Sequence, residues 1–255
     1  MTLIEFFNNP KSCEYFNNEV SSFRYFYIEN CNSQFTNGLL ERGWRRFGEY
    51  FFVPNCKACS KCLTIRVLVN DYNLSRTHKR IIKKNLNTKI YISRPSIDSI
   101  KLDLFNRYHL FMSQKKGWKY EPYTMDMYID NFINGFMDYG YEFTYKTQDD
   151  ELIGVGLVDV FKDSISAIYF YYDHKFLALS PGTFNIINQL LFAKSKNISY
   201  FYPGYYIANH YSMGYKKNFK PFEVLINEPD IFDTPIYELF NESLESSLKE
   251  QQRII

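Results

Sequence analysis

Long hydrophobic runs are missing from this 255-residue chain. No stretch approaches the roughly 18 apolar residues that a membrane-spanning helix needs, so no membrane partner is expected. The opening run from Met1 to Pro10 has neither a basic region nor a long apolar core, and no secretory signal is evident in it. Cysteine is sparse: there are five, and Cys56, Cys59 and Cys62 are spaced by two residues. That pattern is unlike the disulfide framework of a secreted protein, and a reducing, cytoplasmic setting is expected. Excess charge is absent too. The net charge is +2, so the chain as a whole is not a basic binder. No internal repeat or long disordered linker is visible, and the length suits one or two ordinary domains.

Aromatic residues are what the chain has most conspicuously, at 19% with 23 Tyr and 24 Phe. They could supply stacking surfaces for nucleic-acid bases. A drift toward aromatic and Asn/Lys-rich usage would give the same count. Charge is unevenly spread. From Leu39 to Arg94 there are thirteen Lys and Arg against three acids, net +10, while from Glu223 onward there are eight acids against two cations, net −6. A basic N-terminal third is the footprint of a polyanion partner; a solvated charged face is the plainer reading.

The segment Leu39–Cys62 concentrates chemistry. Arg45 and Arg46 lie between Gly43 and Gly48, and the C-x2-C-x2-C cluster follows. Glycines allow positive φ and close backbone approach, arginines grip carboxylates or phosphates bidentately, and three thiols at that spacing can converge. Strands are expected at 22–28, 49–53 and 63–69, which puts the cysteines at a hairpin tip. Ser75 then opens a basic helix carrying Arg76, Lys79, Arg80, Lys83 and Lys84, followed by a strand at 89–93.

After a joint at Arg94-Pro95 the pattern becomes helical, through Ile97, Ile100, Leu104, Tyr108 and Phe111. A second helix is expected over 124–139. Adjacent strands at 151–161 and 164–172 come next. Ser180-Pro181 starts a helix to about 196, with Ser180 as N-cap and Pro181 in the first turn. A strand at 199–202, a short helix at 209–217, a strand at 221–226 and an acidic terminal helix from Pro235 complete the reading. The expected class is α/β (α+β): a small N-terminal basic, cysteine-bearing domain over 1–95, and an acyltransferase-like domain of N-acetyltransferase type over 96–255.

Several blocks, in order along nearly the whole chain, resemble the arginyl/leucyl-tRNA–protein transferase family, above all its short bacterial form, the aspartate/glutamate leucyltransferases. They are Gly43-Trp44-Arg45-Arg46-Phe47-Gly48; Pro54-Asn55-Cys56 through Cys62 with Arg66-Val67; Ser75 through Arg80; Tyr169-Phe170-Tyr171-Tyr172-Asp173; Ser180-Pro181-Gly182-Thr183; and Tyr202-Pro203-Gly204-Tyr205 with Met213, Tyr215, Lys216, Phe219 and Pro221. Lys11-Ser12-Cys13-Glu14-Tyr15 matches a further element loosely. Trp44, His78, His174, Pro181, His210 and Ser212 depart from the family pattern, and no role is carried over to them. The resemblance implies transfer of an amino acid, leucine rather than arginine, from charged tRNA to the N-terminal Asp or Glu of a protein, which marks it for degradation by the N-end rule.

That reaction is aminolysis of an ester already activated, so the chemistry needs no cofactor. Proximity alone can supply roughly 7–11 kcal/mol of such a barrier. The basic helix is the expected tRNA cradle, and the helix start at Gly182 and Thr183 could receive the terminal phosphates or the adenosine of the acceptor end. Arg45, Arg46 and Arg66 are candidates for the acceptor carboxylate. Asp173, Tyr172 and Tyr205 are candidates for handling the amine proton. Lys216 could hold the ester carbonyl or a phosphate, beside Gly204. Cys13, Cys56, Cys59 and Cys62 could bind zinc or an iron–sulfur cluster, or be ordinary reduced thiols. The competing reading is a nonenzymatic, zinc-containing nucleic-acid-binding protein. A coenzyme A transferase ranks last, because residues 177–182 lack arginine and repeated glycines.

Overall fold

The computed structural model describes residues 2–251. In chain order the elements are β1 (Leu3–Phe7), β2 (Lys11–Ser12), β3 (Val20–Ser21), β4 (Phe23–Ile28), α1 (Ser33–Glu41), β5 (Arg45–Phe47), β6 (Tyr50–Pro54), β7 (Leu63–Leu68), α2 (Arg76–Lys84), β8 (Lys89–Ser93), α3 (Ser99–Lys116), α4 (Met125–Phe132), β9 (Gly140–Lys146), β10 (Leu152–Val160), β11 (Ser164–Tyr172), α5 (Pro181–Ser195), β12 (Tyr200–Tyr202), β13 (Tyr205–Tyr206), β14 (Phe222–Leu225), β15 (Tyr237–Leu239) and α6 (Glu242–Gln251). Short 3-10 turns cover His174–Leu179 and Gly214–Asn218. No helix among the described residues is long and apolar enough to cross a membrane.

Two sheets carry the architecture. A four-stranded antiparallel sheet has the order β1-β4-β6-β5, and a nine-stranded sheet has the path β15-β14-β7-β12-β11-β10-β9-β8 with β13 beside β7. One face of the large sheet buries Phe184, Ile187 and Leu190 of α5 with Ile81 of α2. The other face takes Leu104, Phe105 and Tyr108 of α3 with Tyr128 and Phe132 of α4. Local chemistry sets the helix ends. Asn32, Ser75, Asp98 and Thr124 cap α1 to α4 through their side chains, satisfying backbone N–H groups that have no intrahelical partner. Gly48, at φ +55°, turns β5 into β6 so tightly against α4 that a Cβ there would lie 2.1 Å from the Asp130 carbonyl. Only glycine fits.

β11 and β12 are parallel, and they pair only over Ser164–Ser166 with Tyr200–Tyr202. β11 then runs on to Tyr172, while the segment after β12 turns at Pro203-Gly204 and continues along β7 as β13. The two strands part and leave a wedge in the middle of the sheet. A register shift between Leu157 and Val158 places a bulge at Ile168 on β11, beside the point of separation.

The structure departs from the sequence reading at several places. The cysteines are not on a hairpin: β6 lies in the small sheet and β7 in the large one, so their loop bridges the two. β7, α2 and β8 precede residue 95 yet complete the large sheet and its core, which therefore crosses the expected domain boundary. The expected helix over 124–139 stops at Phe132, and β9 follows. Pro235 starts no helix: Tyr237–Leu239 is an edge strand, and α6 begins only at Glu242. Residues 209–217 hold only a 3-10 turn. Ser180 adopts the left-handed conformation, φ +55°, and makes no side-chain cap.

Candidate active site

The vertex of the wedge holds two buried cations. Arg45 points from β5 across the last β11–β12 rung, and its guanidinium lies over the rings of Tyr202 and Tyr205, at 5.7 and 5.1 Å. Its Nη1 donates to the backbone oxygens of Trp44 and Leu40. Nε and Nη2 are buried without a partner, as is Ser166 Oγ. A void of about 10 Å3 next to them is lined by Arg45, Ser166 and Ile168 among others, about the room one water needs. Lys216 is the second cation. It is 6% exposed, and its Nζ donates to the Tyr205 carbonyl oxygen at 2.6 Å. Burial, and then the nearby Arg45 charge, lower its pKa to about 7. Among the described residues, neither Arg45 nor Lys216 is paired with a carboxylate.

The other sequence candidates are already engaged. Arg46, the neighbour of Arg45, points to the opposite side of β5. Its Nε and Nη2 grip both oxygens of Asp159 at 2.7 and 2.5 Å, its Nη1 donates to the Gly48 carbonyl, and both side chains are 2% exposed. Arg66 pairs with Glu223 at 2.6 Å, across a sheet rung, between the rings of Tyr200 and Tyr237. Asp173 accepts from Arg107 at 2.6 Å and from the Lys175 backbone N–H at 3.0 Å. Burial pushes its carboxyl up, but these two donors outweigh it and hold the pKa below the ordinary value. A carboxylate so held is a weak base. Tyr205 donates its hydroxyl to the Gly43 carbonyl at 3.0 Å. Tyr172 is half-buried on the β11 wall, against Tyr108. Burial raises the pKa of both hydroxyls. Nothing local in the sequence marks Asp159, Glu223 and Arg107, the partners that decide these cases. Each is 66 to 157 positions from its mate, and no local signal links them.

Helix α2 divides its residues cleanly. His78 and Ile81 are buried, with His78 stacked on Phe219 at 4.9 Å and hydrogen-bonded to Tyr72. Arg76, Lys79, Arg80, Lys83 and Lys84 are all exposed. None of the five meets a carboxylate among the described residues; Lys84 alone has a polar partner, the Ala178 carbonyl. Gly182 and Thr183 stand in the first turn of α5. A Cβ on Gly182 would meet nothing within 4 Å, and with Ser180 not capping, that turn receives no side-chain cap.

Cys13, Cys56, Cys59 and Cys62 do come together. They line a cavity of about 570 Å3 between the small sheet, the cysteine loop and residues 226–230, with Tyr15 and Tyr205 on its wall. Burial, and then the neighbouring thiols, push Cys62 up to about 12. Burial also raises Cys59. All five cysteines are free. Among the described residues, no group of three or more Cys, His, Asp or Glu is arranged to hold a metal ion. The zinc or iron–sulfur expectation gains no support.

Comparison with known proteins finds relatives by sequence and by fold. The N-terminal family of arginine-tRNA-protein transferases matches residues 11–80 and the C-terminal family residues 100–226. A Helicobacter hepaticus protein named aspartate/glutamate leucyltransferase is 52% identical over 241 residues, 94% of this chain and 100% of its own. A Campylobacter jejuni protein of the same name is 39% identical, over 92% and 98%. The crystal structure of FemX shares the fold, with a TM-score of 0.50 at 10% identity, over 88% of this chain and 73% of that one.

Proposed function

Because the chain belongs to the arginine-tRNA-protein transferase family, we propose that it moves leucine from charged tRNA to proteins whose N-terminus is Asp or Glu, within the wedge of an N-acetyltransferase-type domain. It is an aminoacyltransferase. Leucine as donor and Asp or Glu as acceptor are the terms in the names of its relatives. One observation carries the acceptor side: a buried guanidinium at the wedge vertex with two donor atoms unpartnered. A buried charge is costly unless it is paired, and an entering carboxylate satisfies Arg45 with charge-assisted hydrogen bonds. Arg46 and Arg66 have carboxylates of their own and serve the fold.

The exposed basic face of α2 suits the tRNA backbone, whose binding would then fall steeply with salt. The uncapped first turn of α5, with Gly182 and Thr183, suits a phosphate of the acceptor end. The ester then lies between Tyr172 on one wall and Gly204 and Tyr205 on the other, with Lys216 behind. The cysteine-lined cavity borders the acceptor side. Cys13, Cys56, Cys59 and Cys62 line it as free thiols, in keeping with a reducing cytoplasm.

The test is transfer of labelled amino acid from total charged tRNA onto peptides that begin with Asp, Glu or Ala. Leucine on the Asp and Glu peptides alone is the expected result. Arginine on the same peptides would keep the mechanism and overturn the donor. Bound tRNA without transfer would favour a nonenzymatic nucleic-acid-binding protein.

A further inference from the structure

An amine that attacks an ester must shed a proton, and Asp173 is poorly suited to take it: two donors already hold its carboxylate. The acceptor residue itself narrows the search. In an N-terminal Asp or Glu the side-chain carboxylate and the α-amine hang from one Cα, roughly 3–5 Å apart by bond lengths alone. A proton acceptor must therefore stand beside the carboxylate receptor. Lys216 does: its Nζ bonds the carbonyl oxygen of Tyr205, the residue whose ring the Arg45 guanidinium covers at 5.1 Å.

The surroundings of Lys216 suit an uncharged amine. An ammonium presents three protons. Here one strong acceptor is present, the Tyr205 carbonyl oxygen at 2.6 Å, and the next neighbour is the Met213 thioether at 3.9 Å. A charged Lys216 would leave donors without strong acceptors in a buried site, whereas a neutral one keeps a lone pair free. Access is built in as well. Gly204 is half-buried with φ +88°, and a Cβ there would lie 3.2 Å from Nζ. The missing side chain leaves an opening from the wedge to the amine.

We propose that Lys216 is the catalytic proton carrier of the transfer, an inference that rests on the reaction assigned above. The α-amine lone pair attacks the ester carbonyl carbon, a C–N bond forms, and the carbonyl oxygen takes up the negative charge. The lone pair of neutral Lys216 accepts the proton released from nitrogen. As the oxyanion collapses, the C–O bond to the tRNA ribose breaks, and Lys216 returns the proton to the departing oxygen. No other reactant is consumed. The charged and titratable groups acting on Lys216 are Arg45 and the Cys62 thiol. Cys62 is pushed up to about 12, stays protonated at neutral pH, and offers no countercharge. With a pKa of about 7, Lys216 stands near the operating pH that favours general acid–base catalysis.

The test compares wild type with K216M, which keeps the length of the side chain, and K216R, which keeps a permanent cation. Single-turnover leucine transfer from Leu-tRNA to an Asp peptide is measured at saturating peptide, with separate Kd measurements for the peptide and for Leu-tRNA. The expected result is a rate loss of about 10²- to 10³-fold in both variants with both affinities retained. Transfer by K216R at the wild-type rate would overturn the proposal, since fixed charge would then suffice. A K216M defect confined to peptide affinity would overturn it too, and would make Lys216 part of the receptor. If wild type itself moves no leucine to Asp or Glu peptides, the assigned reaction fails first and this role with it.

Discussion

Strand β5 carries two adjacent arginines in opposite electrostatic situations. Arg46 is sealed against Asp159 with both oxygens gripped and a third bond to the Gly48 carbonyl. Arg45, one residue earlier on the other side, is also buried, yet two of its donor atoms have no partner. A guanidinium with its own carboxylate holds a fold together. A guanidinium without one is what the proposed reading assigns to the acceptor carboxylate. Helix α2 marks a third condition: its five cations are exposed, so they cost little to keep and act through a field that salt screens.

Breaking the larger contrast comes first. Arg46→Met leaves Asp159 as an unpaired buried charge, and loss of about 3–5 kcal/mol of stability is expected, read from the urea midpoint. Arg45→Met removes an unsatisfied cation and should unfold no earlier than wild type. A variant pair that shifts equally would erase the distinction between the two sides of β5. A smaller effect is expected on α2. Reversing charge with K79E and R80E should weaken tRNA binding and reduce the slope of log affinity against log salt by about one for each phosphate no longer neutralised. An unchanged slope would remove α2 from the tRNA surface.

The sequence made visible the elements that local chemistry determines. Ser75 before a basic run marks α2, and β10 with β11 follow from two β-rich runs around Lys162-Asp163. The Arg pair between glycines also stands out as a site. What stays hidden depends on distant partners. Nothing near Arg46 or Arg66 distinguishes them from Arg45; Asp159 and Glu223, 113 and 157 positions away, do. The same holds for Asp173, which reads as a base in its motif but is tied to Arg107 in space. The cysteine loop reads as a hairpin because strands flank it, and only tertiary pairing sends β6 and β7 to different sheets. Lys216 is visible through its motif, but its burial and the Gly204 opening come from the wedge.

The most direct measurement is leucine transfer to peptides differing only in an N-terminal Asp or Asn, by wild type and by Arg45→Met. Wild type should prefer Asp. Arg45→Met should lose about 10- to 100-fold on the Asp peptide, the worth of a hydrogen bond to a charged group, and transfer to Asp and Asn alike while still binding Leu-tRNA. An Arg45→Met enzyme that keeps the full Asp preference would contradict the account, because the acceptor carboxylate would then be read elsewhere.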